Sequence, residues 1–480
     1  MSQSQQGIWL KALAYVAPQL GLSLLFAPVI TVLGGIYGKY FGVSLTTIAT
    51  VMLVARIFDA VTDPLIGYYS DRWRARTGTR KPFILMGGLL MIPCCYFLFV
   101  PPENVSTGYF TFWYMAFYLA MTVFMIPNTA WANEFTETAK DKTLVFSLMA
   151  MTSQGGTGLF YLIPLLPFFL TTDITPEVLK VTVIAGAVLL LIGLLVAVKV
   201  VPSGPAHSPL VSVDQQSQRL ADILSALINN KPFLLYIGAF MCLGIGYGMW
   251  AGLFFIYVDS YLQLGKAFAN LSLWGMVCGA LAIPVWYRLS LYWGKRKAWL
   301  VGMLLLTGVF LYTAVLRPGD SGLFELFALN LLMTFSIASM GVISYPMLCD
   351  VIDYGRLKDG AEHNALYFSI QALMMKIQLA VGGALGFAVV GWFGFDVQAL
   401  EQTEWSLIGL RLSVSWAPTF FVLLAMVFIA KMPLTEARMN IIRRRLSLRD
   451  KQMQRSESDS RSDSRTPSGA NSSKFLAGNI

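Results

Sequence analysis

Long apolar runs recur along the whole of this 480-residue chain, and they restrict its fold more than any other feature. Each run has roughly 20 residues, the length that an α-helix needs to cross about 30 Å of hydrocarbon with its backbone groups bonded inside the segment. The sequence therefore predicts an all-α integral membrane protein. We place its twelve transmembrane helices near residues 12-37, 44-69, 82-100, 109-132, 144-169, 179-200, 232-258, 267-287, 298-316, 323-348, 365-393 and 406-431.

The composition agrees with a bilayer protein. Hydrophobic residues make up 56% of the chain and charged residues 13%, with a mean hydropathy of +0.63, which is too apolar for a soluble protein of this size. The first run follows a polar start with one basic residue, Lys11, and no small-residue cleavage site, so we predict a retained helix. The five cysteines lie within or at the ends of predicted spans, which supports neither a disulfide framework nor a zinc site.

Basic residues are distributed by membrane side. The formal net charge of +9 could suggest a nucleic-acid partner, but the charges are not gathered on one folded domain, and we expect none. They follow every second span, so the positive-inside rule places both termini in the cytoplasm. We expect a monomeric multi-pass plasma-membrane protein, in a bacterium one of the inner membrane, whose partners are the lipid bilayer and a small-molecule substrate. The basic loops contain Arg72, Arg74, Arg76, Arg80, Lys81, Lys140, Lys142, Lys295, Arg296, Lys297, Arg356 and Lys358.

The chain repeats itself in two halves. Gly78–Pro82 opens the third span, and the similar segment Gly294–Ala298 opens the ninth. At nearly the same offset, a proline precedes an acid by seven residues in both halves, at Glu134 and at Asp353. Two same-direction repeats of six helices are typical of carriers that rock one half against the other. We predict an N-terminal half over 1-201, a cytoplasmic linker over 202-231, a C-terminal half over 232-433, and a basic juxtamembrane segment with a disordered tail over 434-480.

Two acids inside the second span carry the most specific chemical signal. Asp59 and Asp63 lie four residues apart, so they share one helix face at depths of roughly 14 Å and 8 Å. In a low dielectric two carboxylates cannot both stay bare, so they bind a cation or share protons. Lys376, about 15 Å deep in the eleventh span, opposes them from the other half. Pro64 frees a carbonyl one turn earlier, which could add an oxygen ligand.

A coupling-ion site is therefore the leading hypothesis for this cluster. The alternative is that Arg56, Asp59, Asp63 and Lys376 form a buried salt network that only fixes helix packing. Intramembrane ionisable groups are costly, and packing alone could be achieved with apolar side chains, which favours the functional interpretation.

Polar side chains in other spans could line a substrate cavity. Tyr15, Gln19 and Ser23 recur every four residues and so share one face of the first span. A single amide or hydroxyl is often only a bond between helices, so the set carries the prediction and no one member does. The aromatic rings could equally be ordinary core residues. The predicted substrate-binding residues are Tyr15, Gln19, Ser23, Asn128, Trp131, Gln154, Tyr345 and Gln371, with Gln378 and Trp250 as further lining.

Enzymatic motifs are missing from the sequence. No Gly-rich phosphate loop follows a strand, and no nucleophile, base and acid form a recognisable set. The two histidines, His207 and His363, fall in predicted inner loops. The sequence therefore indicates a protein that is not an enzyme and needs no cofactor.

Ala55–Gly67 (ARIFDAVTDPLIG), followed by Ser70–Arg72 and Gly78–Pro82, resembles the glycoside-pentoside-hexuronide:cation symporters of the major facilitator superfamily. The second half is similar to the same family through Asp350–Gly355 and the lysine of the eleventh span, and the resemblance extends to about residue 431. It implies the major facilitator fold with two six-helix halves and cation-coupled symport.

The resemblance also implies roles for particular residues. In the melibiose-permease branch the two acids of the second helix bind Na+, Li+ or H+, which implies that role for Asp59 and Asp63. Thr62 stands where that branch has an asparagine, and Thr122 aligns with its threonine ligand. Lys376 matches the lysine that links the cation and sugar sites, and Arg56 is grouped with it as a coupling residue. The cytoplasmic gate implied by the motifs consists of Asp71, Arg72, Arg80, Glu134, Asp350 and Asp353.

The charges that bind sugar in that branch are replaced here by neutral residues. The acid of helix one aligns with Ser23 and that of helix four with Met125, and no basic residue lies between Lys142 and Lys180. We predict a symporter that uses Na+ or H+ to import a small polar solute, a saccharide or glycoside, by alternating access. The first alternative is a carrier of an amphiphile or lysolipid with the same cation site. A channel and a sensor that lost transport are further alternatives, against which the intact gate and ion motifs argue.

Overall fold

A computed structural model describes residues 3–136, 139–203, 229–316, 318, 322–359, 364–399 and 402–448. Within these residues the secondary structure is helical, without a strand. Most of the predicted linker, both histidines and the predicted tail from 449 onward lie outside the described residues. The first half contains α1 (Gln3–Thr31), α2 (Leu33–Phe41), α3 (Leu45–Thr77), α4 (Lys81–Phe99), α5 (Thr107–Phe135), α6 (Ala139–Leu162) and α7 (Pro176–Val200).

The second half repeats this succession of long helices. Two short π-helices interrupt it, at Tyr257–Tyr261 and Leu412–Trp416, and a further helix covers 436–448. The other helices are α8 (Lys231–Ile256), α9 (Phe268–Trp293), α10 (Lys295–Thr313), α11 (Leu323–Asp359), α12 (Asn364–Trp392), α13 (Glu404–Arg411) and α14 (Ala417–Ala430).

Ten helical segments among the described residues are long and apolar enough to cross a membrane. They coincide with ten of the twelve predicted spans. The remaining two predictions, 144-169 and 298-316, are also helical, as α6 and α10, but both helices are more polar. α6 carries several Ser, Thr and Gln residues, and α10 begins with three basic residues, which lowers their mean hydropathy.

The helix ends follow local signals in the sequence. The Ser44 hydroxyl accepts a hydrogen bond of 3.2 Å from the backbone N–H of Thr47 and caps the start of α3. At the other end Gly78 adopts φ +75°, a left-handed conformation that favours glycine, and its N–H donates to the carbonyl of Arg74. These two caps define a 33-residue helix that carries the acid pair.

The same helix pairs pack in both halves. In the first half α1 packs against α6 and α7, and α4 packs against α5. In the second half α8 packs against α12 and α14, and α10 packs against α11. Each member of the second set occupies the place of a first-half helix six spans earlier, so the contacts repeat as the sequence motifs do.

Glycines allow the first-half helices to approach at backbone distance. A Cβ at Gly21 of α1 would lie 2.3 Å from the backbone nitrogen of Leu190 in α7. A Cβ at Gly193 of α7 would lie 2.5 Å from the nitrogen of Pro18. Small residues are common at helix contacts in membranes because close packing replaces the hydrophobic driving force there.

The two halves meet along α3 and α12, and again along α6 and α9. α3 belongs to the first half and carries Asp59 and Asp63, whereas α12 belongs to the second and carries Lys376. The pairing of α3 with α12 therefore places the acids opposite the lysine, at the boundary between the halves.

Candidate functional site

Asp59 is buried and forms an ion pair with Arg56 of the same helix. The Nη1 atom of Arg56 donates to Oδ2 of Asp59 at 2.9 Å. The other carboxylate oxygen, Oδ1, is buried and has no hydrogen-bond partner. A buried carboxylate oxygen without a donor is costly, so Oδ1 is an oxygen that a cation or proton would stabilise.

Asp63 is paired across the boundary between the halves. The Nζ atom of Lys376 donates to Oδ2 of Asp63 at 2.6 Å, and the Thr122 hydroxyl of α5 donates to Oδ1 at 3.0 Å. The Lys376 side chain is 60% exposed, against 24% for Asp63. The structure thus brings together the predicted acids, the predicted lysine and one of the two predicted threonines.

Thr62 does not face the acids. Its hydroxyl donates to the carbonyl of Phe58 at 3.1 Å, within its own helix. A threonine in a helix commonly bonds back to the carbonyl four residues earlier, which explains this orientation. The hydroxyl also lies 3.5 Å from the backbone carbonyl of Asp59, so its described bonds are to backbone carbonyls and not to either carboxylate.

The sequence reasoning missed an aromatic partner of Arg56. The Arg56 guanidinium lies 4.2 Å from the ring centroid of Tyr118, a buried residue of α5. A cation above an aromatic face is attracted by the ring quadrupole, and more strongly when water is excluded. Tyr118 precedes Thr122 by one helical turn, so a search of the face that carries Thr122 would have found it.

The cluster is balanced in charge. It contains two carboxylates, Asp59 and Asp63, and two cations, Arg56 and Lys376. Among the described residues no group of three or more His, Cys, Asp or Glu side chains could hold a metal ion, so a cation bound here would have the two carboxylates as its only acidic ligands. Two carboxylates and neutral oxygens suit a monovalent cation or a proton.

A polar patch lies on the first-half helices, on the face that the sequence predicted. Gln19 donates to the hydroxyl of Ser23 at 3.1 Å, and Ser23 donates to the hydroxyl of Ser153 in α6 at 2.9 Å. Several buried amide atoms have no hydrogen-bond partner, namely Gln19 Oε1, Asn128 Oδ1, both polar atoms of Gln371, and Gln378 Oε1.

The other predicted substrate residues divide by exposure. Tyr15 is buried, and its hydroxyl donates to the backbone carbonyl of Asn128 at 2.7 Å. Trp131 is buried, with its indole N–H on the carbonyl of Pro202 and its ring against Tyr15. Both therefore pack between segments of the first half. By contrast, Gln154 and Tyr345 are exposed.

Charged side chains form a network at one end of the first half, near Gly78. The Arg80 guanidinium is buried and donates to Glu134 at 2.6 Å, to Ser70 at 2.8 Å and to Asp71. Arg74, which the motifs did not single out, adds a second ion pair to Glu134 at 2.9 Å. We call this end of the bundle, with its second-half counterpart below, the basic face.

The predicted gate partner Arg72 is placed elsewhere. It donates to the Tyr68 hydroxyl at 3.2 Å, one turn back on the same exposed side of α3. Arg72 and Arg74 are two residues apart on α3, about 200° around the helix, so they lie on opposite faces. Arg74 is thus a further partner of Glu134, and the gate role of Arg72 stays a prediction.

The second half has a similar network that recruits the helix over 436–448. Asp350 accepts from Lys295 and, at 2.6 Å, from Arg443, whose Nε also lies 3.7 Å from Asp353. Met439, Ile442 and Leu446 on the same helix are buried. The basic segment thus docks one side against the protein, where the sequence suggested only a lipid surface.

Each of these basic-face ion pairs joins elements of one half. The sequence predicts that such pairs close this face, but none of the pairs described above joins the two halves. Among the described residues, bonds between the halves include the Lys376–Asp63 pair and a group at the opposite end of the bundle, where Lys39 bonds Asp259 at 2.6 Å.

Comparisons with known proteins agree with this architecture. A family model described as MFS/sugar transport protein matches residues 14–436. The chain is 25% identical over 91% of its length to "Uncharacterized symporter YnaJ" of Bacillus subtilis (strain 168), covering 94% of that protein. It is 25% identical over 95% of its length to "Glucuronide carrier protein homolog" of Escherichia coli (strain K12), covering 99% of it.

A vertebrate relative and a solved structure extend the comparison. "Sodium-dependent lysophosphatidylcholine symporter 1" of Gallus gallus is 24% identical over 85% of this chain and 84% of its own. The crystal structure of a bacterial homologue of the human lysosomal transporter Spinster superposes with a TM-score of 0.64 at 15% identity, covering 89% of this chain and 97% of that one. The fold is therefore that of major facilitator transporters. Because the family model covers residues 14–436, which include the acid pair and Lys376, the chain belongs to the MFS/sugar transport protein family, whose members are membrane transporters and not enzymes.

Proposed function

We propose that this protein is a cation-coupled symporter that imports a saccharide or glycoside by alternating access. Family membership and relatives named as a symporter and a glucuronide carrier support this proposal. The single observation that carries it is the bond between Asp63 of the first half and Lys376 of the second, at the boundary where the halves must move.

The coupling cation competes with Lys376 for the two carboxylates. The cluster of two carboxylates and two internal cations is neutral, so one added Na+ or H+ leaves an excess positive charge inside the membrane. Lys376 can leave more easily than Arg56, because Lys376 is exposed and Arg56 is held by Asp59 and the ring of Tyr118. Cation binding at Asp63 and Asp59 therefore releases Lys376 and loosens one bond between the halves.

The solute site consists of neutral polar groups. Gln19, Asn128 and Gln371 present buried amide atoms without partners, and the hydroxyl of Ser23 lies beside Gln19. Sugar hydroxyls both donate and accept, so they can satisfy such atoms. We include the exposed Gln154 and Tyr345 and the buried Tyr15 and Trp131 among the candidate residues of this site.

The basic face is the cytoplasmic one in this proposal. Arg80, Glu134, Asp350 and the other charges of that face are on the side that the positive-inside rule assigns to the cytoplasm, together with both termini. Alternating access then requires the two halves to approach at this face when the opposite face opens, through the proposed gate residues Asp71, Arg72, Arg80, Glu134, Asp350 and Asp353. We propose that the protein is a monomer.

Transport by purified protein in proteoliposomes tests the proposal. We expect Asp59→Ala and Asp63→Ala to abolish uptake driven by a Na+ or proton gradient, because neither variant has the paired carboxylates. A Thr62→Ala variant serves as the control and should retain uptake, since its hydroxyl faces its own helix. Full accumulation of solute by either aspartate variant would contradict the cation site.

An amphiphile is the second candidate substrate. Leu373, Met375 and Leu379 of α12 are exposed close to Lys376 in the chain, and a relative is named as a lysophosphatidylcholine symporter. Thermal stabilisation of the purified protein distinguishes the two. Stabilisation by a saccharide in Na+ but not in choline supports the leading proposal, whereas stabilisation by lysophosphatidylcholine and by none of the sugars supports the amphiphile.

A further inference from the structure

A charged contact joins the two halves at the end of the bundle opposite the basic face. Lys39 lies in α2 of the first half, and Asp259 lies in the π-helix Tyr257–Tyr261 of the second. The Nζ atom of Lys39 is 2.6 Å from Oδ2 of Asp259. The Asp259 side chain is only 6% exposed; the Ser260 hydroxyl donates to its Oδ2 at 3.2 Å, and Lys39 is the cation that pairs with it.

Neighbouring bonds strengthen the same contact. The backbone carbonyl of Lys39 accepts a hydrogen bond of 2.9 Å from the side chain of Gln398, which follows α12. The Thr172 hydroxyl of the first half donates to the carbonyl of Lys266 in the second at 2.7 Å. The two halves are therefore joined at three points on this face, two of them in one short segment, 257–266.

The segment is built tightly around its carboxylates. A Cβ at Gly265 would lie 2.3 Å from Oδ1 of Asp259 and 2.9 Å from Oδ1 of Asp173, so position 265 has no room for a side chain. Gln263 has φ +59°, the left-handed region that a glutamine rarely adopts. π-Helical turns and strained residues of this kind are frequent where proteins change conformation.

Electrostatics keeps the lysine charged while it is half-buried. Burial alone would lower the pKa of the Lys39 ammonium, but the hydrogen bond and charge of Asp259 raise it more, so that the pKa of Lys39 is raised. The charge of Asp173 acts in the same direction.

We propose that Lys39 and Asp259 form a latch that closes the outer face while the basic face is open, and that this bond breaks each time the carrier turns outward. Closing removes both groups from water and opening returns them to it, so the pair contributes to the balance between the two states. The role of the latch in transport rests on the proposed function. The bond itself can be tested separately, because it needs neither solute nor coupling cation.

Hydrogen–deuterium exchange of the full-length protein in nanodiscs tests the latch. With solute and Na+ both omitted, Lys39→Gln should speed exchange of the backbone amides over 257–266 by about tenfold, because it leaves a buried carboxylate unpaired. Asp259→Asn should have a smaller effect, because the lysine that it leaves unpaired is more exposed. Lys266→Gln is the matched control, since the exposed Lys266 contributes its carbonyl and not its ammonium.

The reversed pair Lys39→Asp with Asp259→Lys separates a latch from a general loss of folding. This double variant should return exchange over 257–266 to within about threefold of the unsubstituted protein, because the local opening equilibrium is restored. Exchange over α7, which packs inside the first half, should not change in any variant. Equal acceleration in Lys39→Gln and Lys266→Gln, or no acceleration in Lys39→Gln, would overturn the latch while leaving the cation site unaffected.

Discussion

The ion site is governed at the scale of single residues by which cation each carboxylate holds. Asp59 is bonded to Arg56 on its own helix, whereas Asp63 is bonded to Lys376 from the other half. Only the second pair can break when one half moves against the other. The two acids thus have different roles, although they share one helix face.

Removal of the Lys376 ammonium should strengthen cation binding while weakening coupling. Lys376→Gln removes a competitor from Asp63, and because the pair is largely exposed it is worth only about 0.2–1 kcal/mol. We therefore expect the apparent affinity for Na+ to tighten about twofold to fivefold. The measurement is the Na+-dependent rise in melting temperature at constant ionic strength. Weaker Na+ affinity in this variant would mean that Lys376 does not compete with the cation.

Arg80 and Arg72 should differ sharply in their contribution to stability. Arg80 is buried and bonded to Ser70, Asp71 and Glu134, so Arg80→Gln removes charge-assisted bonds from the buried Ser70 and from Glu134, which keeps only Arg74, at a cost of about 1–3 kcal/mol. Arg72 is exposed and bonds only Tyr68 among the described contacts, so Arg72→Gln should be close to neutral. Thermal unfolding of both variants in one detergent measures the difference. Equal losses of melting temperature in the two variants would show that Arg72 and Arg80 contribute equally to stability.

Among the elements, the contact between α1 and α7 is the most sensitive to side-chain size. Gly193 lies at backbone distance from Pro18, so Gly193→Ala must push the helices apart, at a cost of about 1–3 kcal/mol. Gly308 in α10 has open space around it, with no neighbouring atom within 4 Å of the position that an added Cβ would occupy, which makes it the control. Gly308→Ala should be neutral or stabilise by about 0.5–1 kcal/mol, because alanine is the better helix former.

Melting temperatures and the monodisperse fraction on size exclusion would measure this contrast. A loss of stability in Gly308→Ala as large as that in Gly193→Ala would indicate that the α1–α7 contact is no tighter than an open helix surface.

Across the whole molecule the two ends of the bundle are unlike. The basic-face ion pairs of Arg74, Arg80 and Asp350 that are described above each join elements of one half, whereas the opposite face is joined between halves by the Lys39–Asp259 latch and the bond of Gln398. Under the proposed orientation this arrangement is the one expected for a carrier that faces inward.

The orientation in the membrane can be tested with cysteine labelling. Cys349 is exposed near Asp350 on the basic face, and Glu103 is exposed in the loop between α4 and α5 on the other. With the other cysteines replaced by serine, an impermeant maleimide added to right-side-out vesicles should label Glu103→Cys and not Cys349. Labelling of Cys349 from outside would reverse the proposed topology.

Much of the architecture and part of the site could be predicted from local sequence. The twelve apolar runs became helices because a bilayer leaves the backbone no other local solution, and all twelve coincide with helices of the structure. Asp59, Asp63 and Lys376 were singled out because charges in hydrocarbon are too costly to occur without partners, and Arg80 because of the motif in which it lies. The same motif includes Arg72, whose side chain bonds Tyr68 in this structure, because a motif gives the residue type and not the direction of its side chain.

The sequence by itself determined that this is a helical membrane carrier with two acids on one face of a membrane helix, since helix length, period and charge are local properties. Only the tertiary structure decided which groups meet. Tyr118 under Arg56, Arg443 on Asp350 and Lys39 on Asp259 join segments far apart in the chain, the last pair 220 residues apart. No periodicity relates such residues, because their contact depends on how the helices pack and on which face of the carrier is closed.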